Sequence, residues 1–215
     1  MELFEDRHDA GIRLGNALLG YQADHPLVLG IPRGGVEVGL HVARRLEAEL
    51  AVIVVRKLPL PGNPEAGFGA LAEDGSLFTV KPAAGALLPG TVQRIVEAQK
   101  LEIARRVEAY RKGEPLPALK GRVVILVDDG IAMGSTVQAA IMMCRKQEAK
   151  KVVVAAPVAD PSIAKELSRV ADDVVILQRP SWFRAVAQVY RHWSDVPDEE
   201  VLAFLEQSRH VTRPS

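Results

Sequence analysis

Short runs of β-branched and aliphatic residues alternate with longer amphipathic stretches along this chain, the pattern of βαβ units that feed a parallel sheet. Five runs read as strands: Leu27 to Ile31, Ala51 to Arg56, Arg122 to Val127, Lys151 to Ala156 and Asp173 to Leu177. They are apolar at consecutive positions rather than at every second one, as strands buried on both faces must be. The periodicity predicts helices over Val36 to Leu46, Thr136 to Lys146 and Pro161 to Val170, the last opening on a proline where a missing N–H does least harm. The class expected is α/β: a Rossmann-like, open, mainly parallel five-stranded sheet with helices on both faces.

A long insertion separates the second and third of these strands. It opens with the turn-rich KLPLPGNPEAG, which reads as a loop, and Asp74-Gly75 between apolar residues signals a β-hairpin. A helix over Thr91 to Arg111 follows, with Ile95, Val96, Ala98, Leu101, Ala104 and Val107 as its apolar stripe. Its Arg105, Arg106, Arg111 and Lys112 are interleaved with Glu102 and Glu108, so they read as a solvated face. Asp198-Glu199-Glu200 reads as the acidic first turn of a last helix. No repeat, low-complexity tract or linker divides the chain, and one domain over residues 1–215 is expected.

Composition narrows the classes. A globule of this length buries roughly 70% of the surface its unfolded chain exposes, so it needs no covalent or metal staple. The single cysteine, Cys144, cannot close a bridge within the chain, and no Cys/His cluster has zinc spacing. A reducing cytoplasm is the expected location, since MELFEDRHDA is acidic where a secretory leader would be basic. The longest apolar run, Val152 to Ala159, is far short of the roughly 20 residues that span a bilayer, so no membrane partner is expected. Lys plus Arg and Asp plus Glu balance at 27 each, which gives no overall positive field for a nucleic acid.

The chemistry concentrates in RVVILVDDGIAMGSTVQAA. A buried strand ends in two carboxylates, Asp128 and Asp129, and passes through a small-residue loop into a helix. Ligands of open α/β sheets bind beyond the carboxyl ends of the strands, where this acid pair would project. Gly130, Ala132 and Gly134 leave the backbone accessible, and the amides of Ser135, Thr136 and Val137 would form an anion cradle at the helix start. Carboxylates beside a phosphate-sized nest suit a ligand with hydroxyls next to a phosphate, such as a ribose phosphate. LGIPRGGVEV repeats the strand, glycine turn and helix order, with Arg33 able to grip phosphate oxygens and Gly34 and Gly35 allowing close backbone approach. The five histidines, His8, His25, His41, His192 and His210, lack metal-ligand spacing and receive no catalytic role, and Cys144 reads as a small buried hydrophobe.

LVDDGIAMGST resembles the phosphoribosyl diphosphate signature of the type I phosphoribosyltransferase family, and GNPE with GFGA resembles an uncharacterised branch of it. The resemblance implies that Asp128 and Asp129 hold the ribose hydroxyls, and that Ile131, Ala132, Met133, Gly134, Ser135 and Thr136 hold the 5-phosphate. Arg33, Gly34 and Gly35 would form the diphosphate loop, with Lys57, and next to it Arg56, approaching the same group. It further implies a core over about residues 24–177, a lid over 57–90, and a hood over 178–215 whose Trp182 or Phe183 stacks on a base. Two positions depart from the family pattern: Met133 stands where many members have threonine, and Ala132 where the purine-salvage branch has an aspartate.

The expected activity is transfer of a 5-phosphoribosyl group from its 1-diphosphate to a nitrogenous base or related nucleophile, with Mg²⁺ carried by the substrate and Asp128 and Asp129 touching it through water. A homodimer is expected by the same resemblance. Two rivals stand beside this reading. One is a module that senses phosphoribosyl diphosphate without turning it over. The other is a receiver-like phosphoacceptor, which leaves PRGG and the Gly134 to Thr136 loop without a use.

Overall fold

The computed structural model describes residues 2–209, without the side chains of Pro64 and Glu65, so His210 lies outside the described residues. In chain order the elements are α1 (Arg7–Ala17), β1 (Leu27–Gly30), α2 (Gly34–Leu46), β2 (Glu49–Val52), β3 (Val55–Leu60), β4 (Asn63–Ala72), β5 (Leu77–Thr79), α3 (Lys81–Gly85), α4 (Pro89–Arg111), β6 (Val123–Val127), α5 (Ser135–Lys146), β7 (Lys151–Val158), α6 (Pro161–Leu167), β8 (Asp173–Gln178) and α7 (Asp198–Arg209). Short 3₁₀ turns lie at Leu19–Asp24 and Val186–Val189.

The main sheet runs β2-β1-β6-β7-β8 with every pairing parallel, so the architecture is the Rossmann-like α/β class read from the sequence. Consecutive strand residues point to opposite faces. On one face Val28, Ile125 and Val153 meet Leu14 of α1, Leu18 just after it, and Val38 and Val42 of α2. On the other, Leu27, Leu29, Val124 and Leu126 meet Val137, Ala140, Ile141 and Cys144 of α5. Cys144 is fully buried there, and burial pushes its thiol up to about 12. No helix among the described residues is long and apolar enough to cross a membrane.

Four local expectations change. The apolar run Ala51 to Arg56 is two strands in two sheets: β2 ends at Val52, and β3 begins an antiparallel sheet ordered β3-β4-β5. The switch is hidden in sequence because Val52 to Val55 are buried on both sides of it. At the crossing, the Ile53 amide still donates to the Gly30 carbonyl at 3.2 Å, whereas the Val54 amide donates to Glu73 at 2.9 Å. KLPLPGNPEAG is correspondingly not a loop. It is the β3–β4 hairpin, turning at Gly62 with a positive φ of 75°. Pro59 is tolerated because β3 is an edge strand whose register shifts there. The turn at Asp74-Gly75 does join β4 to β5.

The buried stripe of α4 is carried by Ile103, Arg106 and Tyr110, while Ala98, Leu101 and Ala104 face outward, Leu101 being 76% exposed. The expected Ile95, Val96 and Val107 do pack on the core, and polar anchors to α7 that hydropathy does not register help to choose the face: Tyr110 donates to Asp198 at 2.6 Å, and Arg105 to the same carboxylate at 3.2 Å. Arg106 and Arg111 are therefore not on a solvated face. Arg111 forms a buried ion pair with Glu73 and donates to the Val52 carbonyl at 3.1 Å, clamping the second sheet to the end of β2. Helix α6 stops at Leu167, three residues before the expected end, and α1 was not anticipated.

Candidate functional site

Strands β1 and β6 are neighbours, with Gly30 opposite Val127, so the PRGG turn and the acid pair leave the same end of the sheet side by side. The approach is close. A Cβ on Gly35 would lie 2.6 Å from the Val127 carbonyl and 2.9 Å from the Asp128 Cα, and one on Gly34 would lie 1.8 Å from Asp129 Oδ2. The two glycines thus let α2 start against the carboxylates. Arg33 caps that helix, half-buried, after a cis Pro32–Arg33 peptide.

The two acids face different ways. Asp128 lines a cavity of about 230 Å³ together with Lys57, Gly67 and the loop from Gly130 to Thr136. Asp129 turns instead to Arg7 of α1, whose Nε donates to its Oδ2 at 2.8 Å. Burial pushes both carboxyls above the usual range. For Asp128 the neighbouring Asp129 charge adds to the effect, whereas for Asp129 the Arg7 guanidinium opposes it.

The loop after the acids is built as the sequence implied, with one exception. Gly134 has φ 71° and caps α5 with no side-chain hydrogen bond, so the first-turn amides of Ser135 and Thr136 open onto the cavity. Gly130 sits under the 3₁₀ turn, where a Cβ would meet Val186 at 2.4 Å. The exception is Ile131, whose side chain is buried and whose amide already donates to the Val158 carbonyl at 2.9 Å. It pins the loop to β7. Met133 is 51% exposed at the loop tip.

Lys57 and Arg56 are adjacent on β3 and therefore point to opposite faces. Lys57 reaches the cavity, its stem lying over Gly67 of β4, where a Cβ would come within 2.8 Å of Lys57 Cγ. Arg56 turns to α4 and donates to Gln99 at 3.1 Å; burial lowers its pKa, and Arg106 adds to the effect. The second cation expected at the cavity is thus part of the α4 packing. Trp182 and Phe183 do not line the cavity either. Trp182, 60% exposed, borders a different groove of about 570 Å³ with Phe4, Arg13 and Gln178, and Phe183 packs on the Phe4, Val189 and Tyr190 cluster. His41 stacks on His8 between α1 and α2, with ring centroids 4.3 Å apart.

Sequence reasoning missed Arg7 and Tyr190. Tyr190 donates its hydroxyl to the Asp129 carbonyl at 2.7 Å, and burial raises its pKa. Arg7 lies in the first turn of a helix capped by Asp6, which accepts from the Asp9 amide at 2.8 Å. Its acid partner is 122 positions away, so no local spacing announces the pair.

This arrangement has relatives. The family model for the phosphoribosyl transferase domain matches residues 10–192. The chain belongs to the phosphoribosyl transferase family. A protein named "Putative phosphoribosyl transferase" in two strains of Mycobacterium tuberculosis is 42% identical to it over 210 residues, covering 97% of this chain and 47% of that protein. This family member thus spans about half the length of the curated relatives it matches. Among solved structures, TT1426 from Thermus thermophilus is 42% identical with a TM-score of 0.81, covering 96% of this chain and 99% of that one. A purine phosphoribosyltransferase from Pyrococcus horikoshii shares the fold at 19% identity and a TM-score of 0.50, over 89% and 91% of the two chains.

Proposed function

We propose that this phosphoribosyl transferase domain binds 5-phosphoribosyl 1-diphosphate and transfers its phosphoribosyl group to a nitrogenous base or related nucleophile. One observation carries the reading: an acid, an uncapped helix start and a lysine line a single cavity. The amides of Ser135 and Thr136, with the Thr136 hydroxyl, take the 5-phosphate, and backbone donors at a helix N-terminus suffice for this where Met133 offers no hydrogen. Asp128 accepts from a ribose hydroxyl. The diphosphate lies toward Arg33 and Lys57, whose charges favour the departing anion in a transition state with oxocarbenium character. No protein nucleophile is required.

The donor set also bears on magnesium. Mg²⁺ takes near-octahedral oxygen coordination, and among the described residues no cluster of three or more His, Cys, Asp or Glu is placed to hold a metal. The residues fit an ion that arrives on the oxygens of the diphosphate and ribose, with Asp128 adding a carboxylate directly or through water. Bound there, Mg²⁺ would neutralise leaving-group charge. The β3–β5 sheet that carries Lys57 acts as the lid.

The test is diphosphate release with phosphoribosyl diphosphate, Mg²⁺ and a panel of nucleobases and amines, alongside calorimetric binding. Saturable binding that disappears in Asp128→Asn with Asp129→Asn while the fold persists is expected. Unchanged binding in that double variant would reject the assignment. Binding without turnover for any nucleophile would favour the sensing reading, to which the exposed Met133 thioether lends support.

A further inference from the structure

We infer that Arg7 is a positioning residue of this site, a strap that ties the neighbouring acid Asp129 to the segment over the site and leaves Asp128 as the carboxylate offered to ligand. Its consequence for binding rests on the ribose-phosphate reading above; the strap itself rests on geometry alone.

Arg7 is 6% exposed and joins four separate stretches of chain. From α1, its Nε donates to Asp129 at the end of β6 at 2.8 Å, and its Nη1 donates to the Ser194 carbonyl at 2.9 Å. The guanidinium lies over the Trp193 ring at 3.9 Å, and Nη1 stands 3.9 Å from Glu37 of α2. A buried guanidinium is costly unless its charge and its donors are met, and here one planar group meets a carboxylate, a carbonyl and an aromatic face together. An ammonium has the charge but not the fork, so lysine cannot make the same set of contacts.

Two consequences follow for the acids. Asp129 has one carboxylate oxygen committed and its carbonyl held by Tyr190, so it is fixed from both ends. Asp128 accepts from the Asp129 amide at 2.9 Å and lines the cavity. The Arg7 charge also offsets that of Asp129, so a phosphate entering the cradle meets one uncompensated carboxylate rather than two. Because Ser194 and Trp193 meet the same guanidinium, this part of the 190–196 segment is tied to Asp129 through Arg7, beside the bonds that Arg191 and His192 make to Phe4 and Glu5.

Arg7→Met and Arg7→Lys test this with two readouts: calorimetric binding of ribose 5-phosphate and of phosphoribosyl diphosphate with Mg²⁺, and amide hydrogen exchange over residues 190–196. In Arg7→Met, binding is expected to weaken by about tenfold or more, the scale of a lost charged hydrogen bond, and exchange over 190–196 to accelerate. Arg7→Lys should recover part of the affinity but not the exchange protection. Affinity within about twofold of wild type in Arg7→Met, on the same energy scale, overturns the proposal, as does unchanged exchange at 190–196. Should Arg7→Met fail to fold, wild-type affinity and exchange in Arg7→Lys overturn it equally. If wild-type protein binds neither ligand, the functional reading falls, and exchange over 190–196 alone decides the strap.

Discussion

Alanine at Gly34 and Gly35 probes the contact between the PRGG turn and the acid pair, because each added methyl meets a different kind of atom. At Gly35 the new Cβ would stand 2.6 Å from the Val127 carbonyl and 2.9 Å from the Asp128 Cα, both backbone atoms of a core strand. Carbon atoms pack without strain at roughly 3.5–4.0 Å, so the start of α2 would have to back away from the end of β6 by several tenths of an ångström. Overpacking of this kind costs about 1–3 kcal/mol, and at roughly 2–4 °C per kcal/mol for a chain of this size the thermal midpoint should fall by about 2–12 °C. At Gly34 the methyl would sit 1.8 Å from Asp129 Oδ2 and 2.7 Å from Arg7 Nε, both ends of side chains. Those ends can move, but only by breaking the 2.8 Å bond between them, a charged hydrogen bond of about 1.5–3 kcal/mol. Gly34→Ala should therefore weaken ribose 5-phosphate binding by about tenfold or more with a loss of midpoint comparable to that of Gly35→Ala. The assay is a thermal scan and a calorimetric titration of both variants, with Gly20→Ala as control, since nothing lies within 4 Å of a Cβ there. A Gly34→Ala protein that melts and binds like the control would refute the packing argument.

The remaining predictions concern a histidine and two cations. His41 is half-buried against His8, near Arg44 and Asp6, and burial pushes its imidazole down to about 4. The unfolded chain binds its proton below about pH 6.5 while the folded chain does not, so stability should fall as pH drops from there toward 4, by up to about 2 kcal/mol at about pH 5. Thermal midpoints of wild type and His41→Leu at about pH 7.5 and about pH 5 should show a shallower slope in the variant, and parallel slopes would contradict the assignment. Lys57→Ala should weaken diphosphate-ligand binding by about tenfold at low salt, while Arg56→Ala should leave it unchanged and lower only the melting temperature; equal binding losses in both would mean that their opposite orientations have been misjudged.

The main sheet was legible because parallel strands buried on both faces print continuous apolar runs, as VVILV and KVVVAAPV do. The acid pair and the helix start after it were legible for a similar reason, since strand end, carboxylates, glycine and hydroxyls stand in one stretch from Val127 to Thr136. What was not legible depends on partners remote in sequence. The run Ala51 to Arg56 gives no sign that Glu73 takes over the Val54 amide and turns the chain into a second sheet. The stripe of α4 was right at Ile95, Val96 and Val107 but wrong at Ala98, Leu101 and Ala104, because Tyr110 is anchored by the remote Asp198, which a hydropathy pattern counts as surface. Lys57 was ranked ahead of Arg56 by resemblance, and the start of β3 at Val55 gives the physical reason, since it decides which of them faces the cavity.

The placement of α5 links these observations. Its N-terminus presents the cradle, its buried face packs Val137, Ala140 and Ile141 on the main sheet, and Ala70, Ala72 and Phe78 of the second sheet belong to the same cluster. A helix gripped from two sides holds its first-turn amides in fixed directions, which favours a ligand that must be met without reorganisation. The β3–β4 hairpin is held near its base, where Glu73 pairs with Arg111, while at the far end Gly62 turns with nothing within 4 Å of a Cβ. The free end is therefore the part of the hairpin with room to move, whereas the first-turn amides of α5 and Asp128 are braced by the main sheet.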